Sequence, residues 1–347
     1  MAGSEQDRAA GPPQPDAQWP RVEPREAGFD PARLSQAGAW LADAAGDAPL
    51  RVAVVRHGRV VAEWCGRMDS SEHVQMASAG KSVFSCMLAI AVGEGKIGSA
   101  DDPVVEYYPE MMDVPEGRGP KPGRHAKPED RGITFRQLIS NTSGYMKPGE
   151  TPGSTFHYQT FGMNILCHAI AKAYGLYDSA APERLPGPGK LAEQKVRDPI
   201  GASWSHGYAN FPHEADALIG IFGNYLEIRA GLYDLARLGL LWLHFGRWGD
   251  RQIVPEEWMR EAVRTAPDIR ANCPQEQWCY GYAFWTNEHG LLWPSLPRDS
   301  FAASGAGRIH VWVCPGLDLI VVQSPGVYEN QRDNDSGILG RVVAALG

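Results

Sequence analysis

Three short stretches of the chain hold residue types whose spacing suits acyl-transfer chemistry. The first is Ser78-Ala79-Gly80-Lys81, the single Ser-x-x-Lys of the sequence. On a helix, positions i and i+3 share a face, so the Lys81 amine would come within hydrogen-bond reach of the Ser78 hydroxyl. A serine is a weak nucleophile until a base takes its proton. A lysine kept neutral by burial and by the positive end of a helix dipole can be that base. Ser78 at a helix start would also offer its backbone N–H to a developing oxyanion. The same spacing fits an N-cap serine followed by a surface lysine. The second stretch, PGSTFHYQTFGMNIL (152–166), carries Tyr158. Its phenol could relay protons beside a lysine, or it could pack beside a turn. The third, FAASGAGRIHVWV (301–313), has small residues from Ala303 to Gly307 ahead of a strand. They would let a ligand approach backbone N–H groups, or they mark a bulge before an edge strand.

The elements that must position these residues follow from periodicity. Residues 22–50 suggest an opening helix, with Pro31 early and Leu34, Ala37, Trp40 and Leu41 on one face. RVAVVRHGRVVAEWCG (51–66) reads as a hairpin turning at His57-Gly58. Val83, Phe84, Met87, Leu88 and Ala91 predict a helix that begins near Ser78 and stops between Gly93 and Gly98. Residues 99–131, rich in Pro, Gly and charge, read as a long surface loop. ITFRQLISNTSGY (133–145) predicts a short helix opened by Thr134 and closed by Gly144, and 161–175 and 233–246 predict amphipathic helices. RIHVWVCPGLDLIVVQ (308–323) reads as two strands around Pro315-Gly316, and 336–347 as a terminal helix.

This order, strands then helices then strands and a closing helix, predicts an α+β fold. One antiparallel sheet built from both chain ends is flanked by terminal helices, and a large helical domain is inserted. The expected division is a disordered leader at 1–20, a sheet domain from 21–77 and 251–347, and an inserted helical domain over 78–250. The active site is expected in the cleft between the two lobes.

Composition excludes several classes. With 347 residues, 33 Lys+Arg against 41 Asp+Glu and 43% hydrophobic residues, the chain is a folded acidic protein. A nucleic-acid binder would show a basic stripe, and none is present. No apolar run reaches the ~18 residues of a membrane-spanning helix. Residues 1–20 lack the apolar core of a secretory signal, so a cytoplasmic chain is expected. Six cysteines without metal-ligand spacing read as reduced thiols, several of them buried.

In order and spacing, the three stretches resemble the serine β-lactamase/penicillin-binding-protein superfamily, most of all its class C β-lactamase-like serine hydrolases, which include the family VIII carboxylesterases and related amide hydrolases. Ser78-x-x-Lys81 matches the family's nucleophile motif. ITFRQLISNTSGY resembles T-x-x-x-L-L-x-H-T-S-G, and PGSTFHYQT resembles P-G-x-x-x-x-Y-x-N. YDLARLGLLWLHFGRWGDRQIVPEEWM (233–259) resembles the D-L-A-R-F…G-x-W-x-G-x-x-I-L segment, and FAASGAGRIHVWVCPGLDLIVV resembles the closing K/H-T-G strand and hairpin. The likeness covers roughly residues 22–346. It implies a β-lactamase/DD-peptidase-like fold, Ser78 as acyl-forming nucleophile, Lys81 as its activator, and Tyr158 acting with Lys81 as general base and acid. The Ser78 and Ala306 N–H groups would form the oxyanion hole. No metal or organic cofactor is implied.

Three departures shape the expected substrate. Thr160 replaces the Asn of Y-x-N, Ala303-Ser304-Gly305 replaces K/H-T-G, and Asn141 replaces the His of H-T-S-G, a position read as structural. Without the cation at 303, a carboxylate loses its usual partner unless Arg308 supplies one. These departures favour esterase or small-amide chemistry on neutral substrates, with a carboxylesterase for small neutral esters as the leading expectation. The alternatives are hydrolysis of a cyclic or D-amino-acid amide, weak β-lactamase activity, acyl transfer to another acceptor, and a non-catalytic binding scaffold. Tyr145, Thr160, Trp285, Ser304 and Gly305 are expected to touch substrate. The aromatic stretch 274–294, with Trp278, Tyr280, Tyr282 and Trp293, is expected to wall an aromatic pocket. The implied ligand is a small-molecule ester or amide, with neither nucleic acid nor membrane as a partner. The sequence leaves the oligomeric state open.

Overall fold

A computed structural model describes residues 19–210 and 219–347; all of the expected leader except Trp19 and Pro20 lies outside the described residues. The chain runs through α1 (Pro31–Ala45), β1 (Leu50–Arg56), β2 (Arg59–Gly66), β3 (Val74–Gln75), α2 (Lys81–Gly93), α3 (Phe135–Ile139), α4 (Phe161–Ala173) and α5 (Gly187–Ala192). It continues with β4 (Ser205–Ala209), α6 (Ile219–Phe222), β5 (Tyr225–Ala230), α7 (Leu232–Leu243), β6 (Arg247–Trp248), β7 (Arg251–Gln252) and α8 (Glu256–Ala262). The last elements are α9 (Pro267–Asn272), β8 (Trp285–Thr286), β9 (Phe301–Gly305), β10 (Ile309–Cys314), β11 (Leu319–Gln323) and α10 (Ile338–Ala344).

The main sheet has the order β2-β1-β11-β10-β9-β8, and its neighbours are antiparallel. Both chain ends supply its strands, as the periodicity predicts, and β1 lies beside β11 with Val54 opposite Val321. Successive side chains of a strand point to opposite faces. Ala53, Val55, Val311, Val313, Ile320 and Val322 join the core on the α7 side, while Val52, Val54, Trp312, Leu319 and Val321 join the core under α1 and α10. With both faces covered, the strands read as continuous apolar runs and not as alternation. Gly239 lets α7 lie close on the strands: a Cβ there would stand 2.8 Å from Ile320 Cγ2. The hairpin turns at His57 and Gly58, both with positive φ.

Helix α2 is buried at every position from Lys81 to Ala91, so it is a central helix with no solvent face. Two expectations are corrected here. Residues 99–131 are not simply a surface loop, because Val104, Tyr108, Met111 and Val114 are fully buried and fill the core from short 3₁₀ turns. Thr134 does cap α3 by accepting from the Gln137 N–H, but the helix ends at Ile139, well before Gly144. Cys86, Cys167, Cys279 and Cys314 are buried, and none of the six cysteines is paired. Among the described residues, no helix is long and apolar enough to cross a membrane.

Candidate active site

Strand β5 and the start of α2 fix the serine. The Met76 N–H donates to Ile228 O at 2.8 Å, and the chain enters α2 through a 3₁₀ turn, Ala77–Gly80. Ala77 takes a φ of 48°, a strained value for a residue with a Cβ and one that recurs where function over-determines the backbone. Ser78 is therefore not the helix cap: α2 begins at Lys81, its N-cap is Gly80, and no side chain caps it.

Because α2 is buried, it carries Lys81 into the interior, where the residue is 1% exposed. Lys81 Nζ donates to Ser78 Oγ at 2.7 Å and to Tyr158 OH at 3.0 Å. The amine faces aromatic rings, with the Tyr158 and Tyr225 centroids 4.7 and 5.9 Å away. Burial lowers its pKa to about 8, because desolvation disfavours the charged form. Burial raises the pKa of Tyr158, and a hydrogen bond with Ser78 partly offsets the rise. The Tyr158 ring stacks on Trp285 at 5.9 Å and 20° and meets Tyr280 edge-on at 5.8 Å.

The end of β9 closes the third side. A Cβ at Gly305 would stand 2.3 Å from Met76 O and 3.1 Å from Ser78 N, so only glycine lets this strand lie on the serine turn. Gly305→Ala is expected to push the strand or the turn away and to lower kcat about a hundredfold, as ångström misplacements do. Steady-state kinetics check this, with a thermal melt to show that the fold persists.

Ser78, Tyr158 and Trp285 line a cleft of about 390 Å³ with Ser304, Gly305, Ala306 and Arg308. Its far wall is the segment from Tyr328 to Gln331. Two wider grooves, of about 820 and 830 Å³, lie elsewhere, and neither is lined by Ser78 or Tyr158. Ser78, with Lys81 behind it, Tyr158 and the β9 edge converge on the smaller cleft, an arrangement suited to chemistry.

Not every expected contact is made. Tyr145 is a core residue, fully buried, and its hydroxyl donates to Met111 O at 2.6 Å. Thr160 stands at the N-cap of α4 and is not in the cleft lining. Of the aromatic stretch, Trp285 alone lines the cleft: Tyr280 supports Tyr158 from behind, Tyr282 packs on Trp258, and Trp293 is buried against His310. Sequence reasoning did not find the Tyr328–Gln331 wall. No motif marks it, since its place depends on β11 lying beside β10. His310, fully buried, packs edge-on against Tyr328 of that wall, and burial lowers its pKa to about 3. Among the described residues, no group of three or more His, Cys, Asp or Glu is placed to hold a metal ion.

Comparison with known proteins gives one family match. The sequence model of the Beta-lactamase family matches residues 41–335. Beta-lactamase-like protein 1 of Dictyostelium discoideum is 33% identical over 112 residues, which are 30% of this chain and 17% of that protein. A penicillin-binding protein homologue from Caulobacter crescentus superposes with a TM-score of 0.65 at 16% identity, over 91% of this chain and 97% of its own. A family VIII carboxylesterase superposes with a TM-score of 0.64 at 14% identity, over 91% of this chain and 97% of its own. At these identities the structural likeness shows the fold.

Proposed function

The chain belongs to the Beta-lactamase family of serine hydrolases, and from that premise we propose that it is a carboxylesterase for small esters, with Ser78 as nucleophile. The observation that carries this reading is the contact of one buried amine with both Ser78 Oγ and Tyr158 OH, at 2.7 and 3.0 Å. Neutral Lys81, with Tyr158, takes the Ser78 proton as Oγ attacks the ester carbonyl. The oxyanion is held by the Ser78 and Ala306 N–H groups. The proton passes to the departing alkoxide, which leaves as alcohol, and the acyl group stays on Ser78. Water then gives its proton to the same base and attacks the acyl carbon. The carboxylic acid leaves, and Oγ recovers its proton.

Ala303 in place of a cation supports a neutral substrate over one that carries a carboxylate. The test compares p-nitrophenyl acetate and butyrate with an anilide and a chromogenic cephalosporin, with and without an added alcohol acceptor. The expected result is ester turnover at least about a hundredfold above the others. Dominant anilide or cephalosporin turnover would favour an amidase or β-lactamase, and a product that appears only with acceptor would favour an acyltransferase.

One observation favours a second reading of the substrate. Arg308 lines the cleft from the turn after β9, and so brings a cation to a cleft where Ala303 supplies none. If it binds carboxylates, Arg308→Ala will lower the ratio of kcat/KM for a p-nitrophenyl hemisuccinate over that for the butyrate by about tenfold. An unchanged ratio would keep the substrate neutral.

A further inference from the structure

Tyr158 lies on a stretch, 151–160, without regular secondary structure, yet its hydroxyl must stay within reach of two other groups. One residue ties that stretch down on both sides. Asn141, just beyond α3, is 1% exposed. Its backbone carbonyl accepts from the His157 N–H at 2.9 Å, and its side-chain Oδ1 accepts from the Gln159 N–H at 2.9 Å. The two bonds flank Tyr158 in sequence. The remaining half of the amide, Nδ2, donates to Tyr280 OH at 3.2 Å, and the Tyr280 ring is edge-on to Tyr158. Asn141 has a φ of 59°, a left-handed value that asparagine tolerates better than most residues. That backbone turn is what lets carbonyl and side chain of one residue reach positions 157 and 159 together.

We propose that Asn141 is a positioning residue that clamps the backbone around Tyr158 and so sets the phenol against Lys81 and Ser78. The inference rests on the role given to Tyr158 above. An irregular segment held by two hydrogen bonds to one buried residue will drift when one is lost, and general-base geometry fails over about an ångström.

Asn141→Gly is the direct test. It keeps the left-handed backbone and the carbonyl that receives His157, and it removes only the side-chain acceptor and donor. The expected result is a fall in kcat for p-nitrophenyl acetate of about tenfold, with KM changed by less than about twofold. Asn141→Asp, which keeps an acceptor for the Gln159 N–H, should recover to within about threefold of the native enzyme. The decisive readout is a double-mutant cycle. In a Tyr158→Phe background the catalytic hydroxyl is gone, so Asn141→Gly should cost less than about twofold further. An equal loss in both backgrounds, or no loss in the native background, overturns the clamp. If Asn141→Gly does not fold, Tyr280→Phe serves instead: it removes the hydroxyl that anchors the amide and keeps the ring. A smaller loss in kcat that disappears in the Tyr158→Phe background supports the clamp, and no loss overturns it. The two readings fail separately. Full activity in Tyr158→Phe alone removes the role of Tyr158 itself, whereas a large loss there with additive Asn141 effects removes only the clamp.

Discussion

Replacing Ser78 by alanine is expected to reduce ester turnover by about five orders of magnitude, since removal of a nucleophile from a cooperating set abolishes nearly all of its effect. In the proposed mechanism Oγ carries the acyl group, and of the two serines that line the cleft Ser78 is the one that accepts from Lys81. Lys81 is buried and donates to the Ser78 and Tyr158 hydroxyls. The Trp285–Tyr158 wall and the β9 edge remain, so Ser78→Ala should still bind intact ester. Single-turnover mixing with p-nitrophenyl butyrate measures the loss directly. Residual turnover above about 1% of the native rate would place the nucleophile elsewhere.

Lys81→Met is expected to lower kcat by about three orders of magnitude or more, and to remove a pH dependence that the native enzyme shows. Methionine fills a similar space, so the comparison isolates the amine. With the Lys81 pKa lowered to about 8 by burial, the neutral base accumulates only above that pH. Native kcat should therefore rise with pH, level off above about 8, and stand about a hundredfold below its plateau at pH 6. The same shift acts on stability. Folding depresses the Lys81 pKa, so between about pH 8 and the unperturbed ~10.4 the unfolded chain binds more protons and this group makes stability rise with pH. Below that window its burial opposes folding in full. Lys81→Met should then melt at a higher temperature than the native enzyme at pH 7, while being nearly inactive. A lower melting temperature together with pH-independent native turnover would contradict the account of Lys81.

Some of this was legible from residues alone and some was not. Ser78 and Lys81 were visible because one turn of helix makes a three-residue spacing into a contact. The burial of Lys81 depends on α2 being buried all round, which its apolar run from Val83 to Ala91, broken at Ser85, suggests only in part. The hairpin at His57-Gly58 and the sheet from both chain ends follow from local turn chemistry and apolar runs. Tyr158 was a candidate by its motif, but its place 3.0 Å from Lys81 is long-range packing. Tyr145 was misread because sequence position beside a motif does not tell which way a ring points; its hydroxyl found the Met111 carbonyl in the core. The buried residues of 99–131 hid because they occur singly, without a 2.0 or 3.6 period, among prolines and glycines. The Tyr328–Gln331 wall hid because the β11–β10 pairing, and no local signal, brings it over the cleft.

The most direct measurement is intact-protein mass after incubation with a fluorophosphonate, with native protein beside Ser78→Ala, at pH 6 and pH 8.5. An activated serine displaces fluoride from phosphorus and keeps the phosphonyl group. The account predicts one adduct on the native protein, forming much faster at pH 8.5, and none on Ser78→Ala. An adduct of equal mass on both proteins, or no adduct on the native one at either pH, would contradict it.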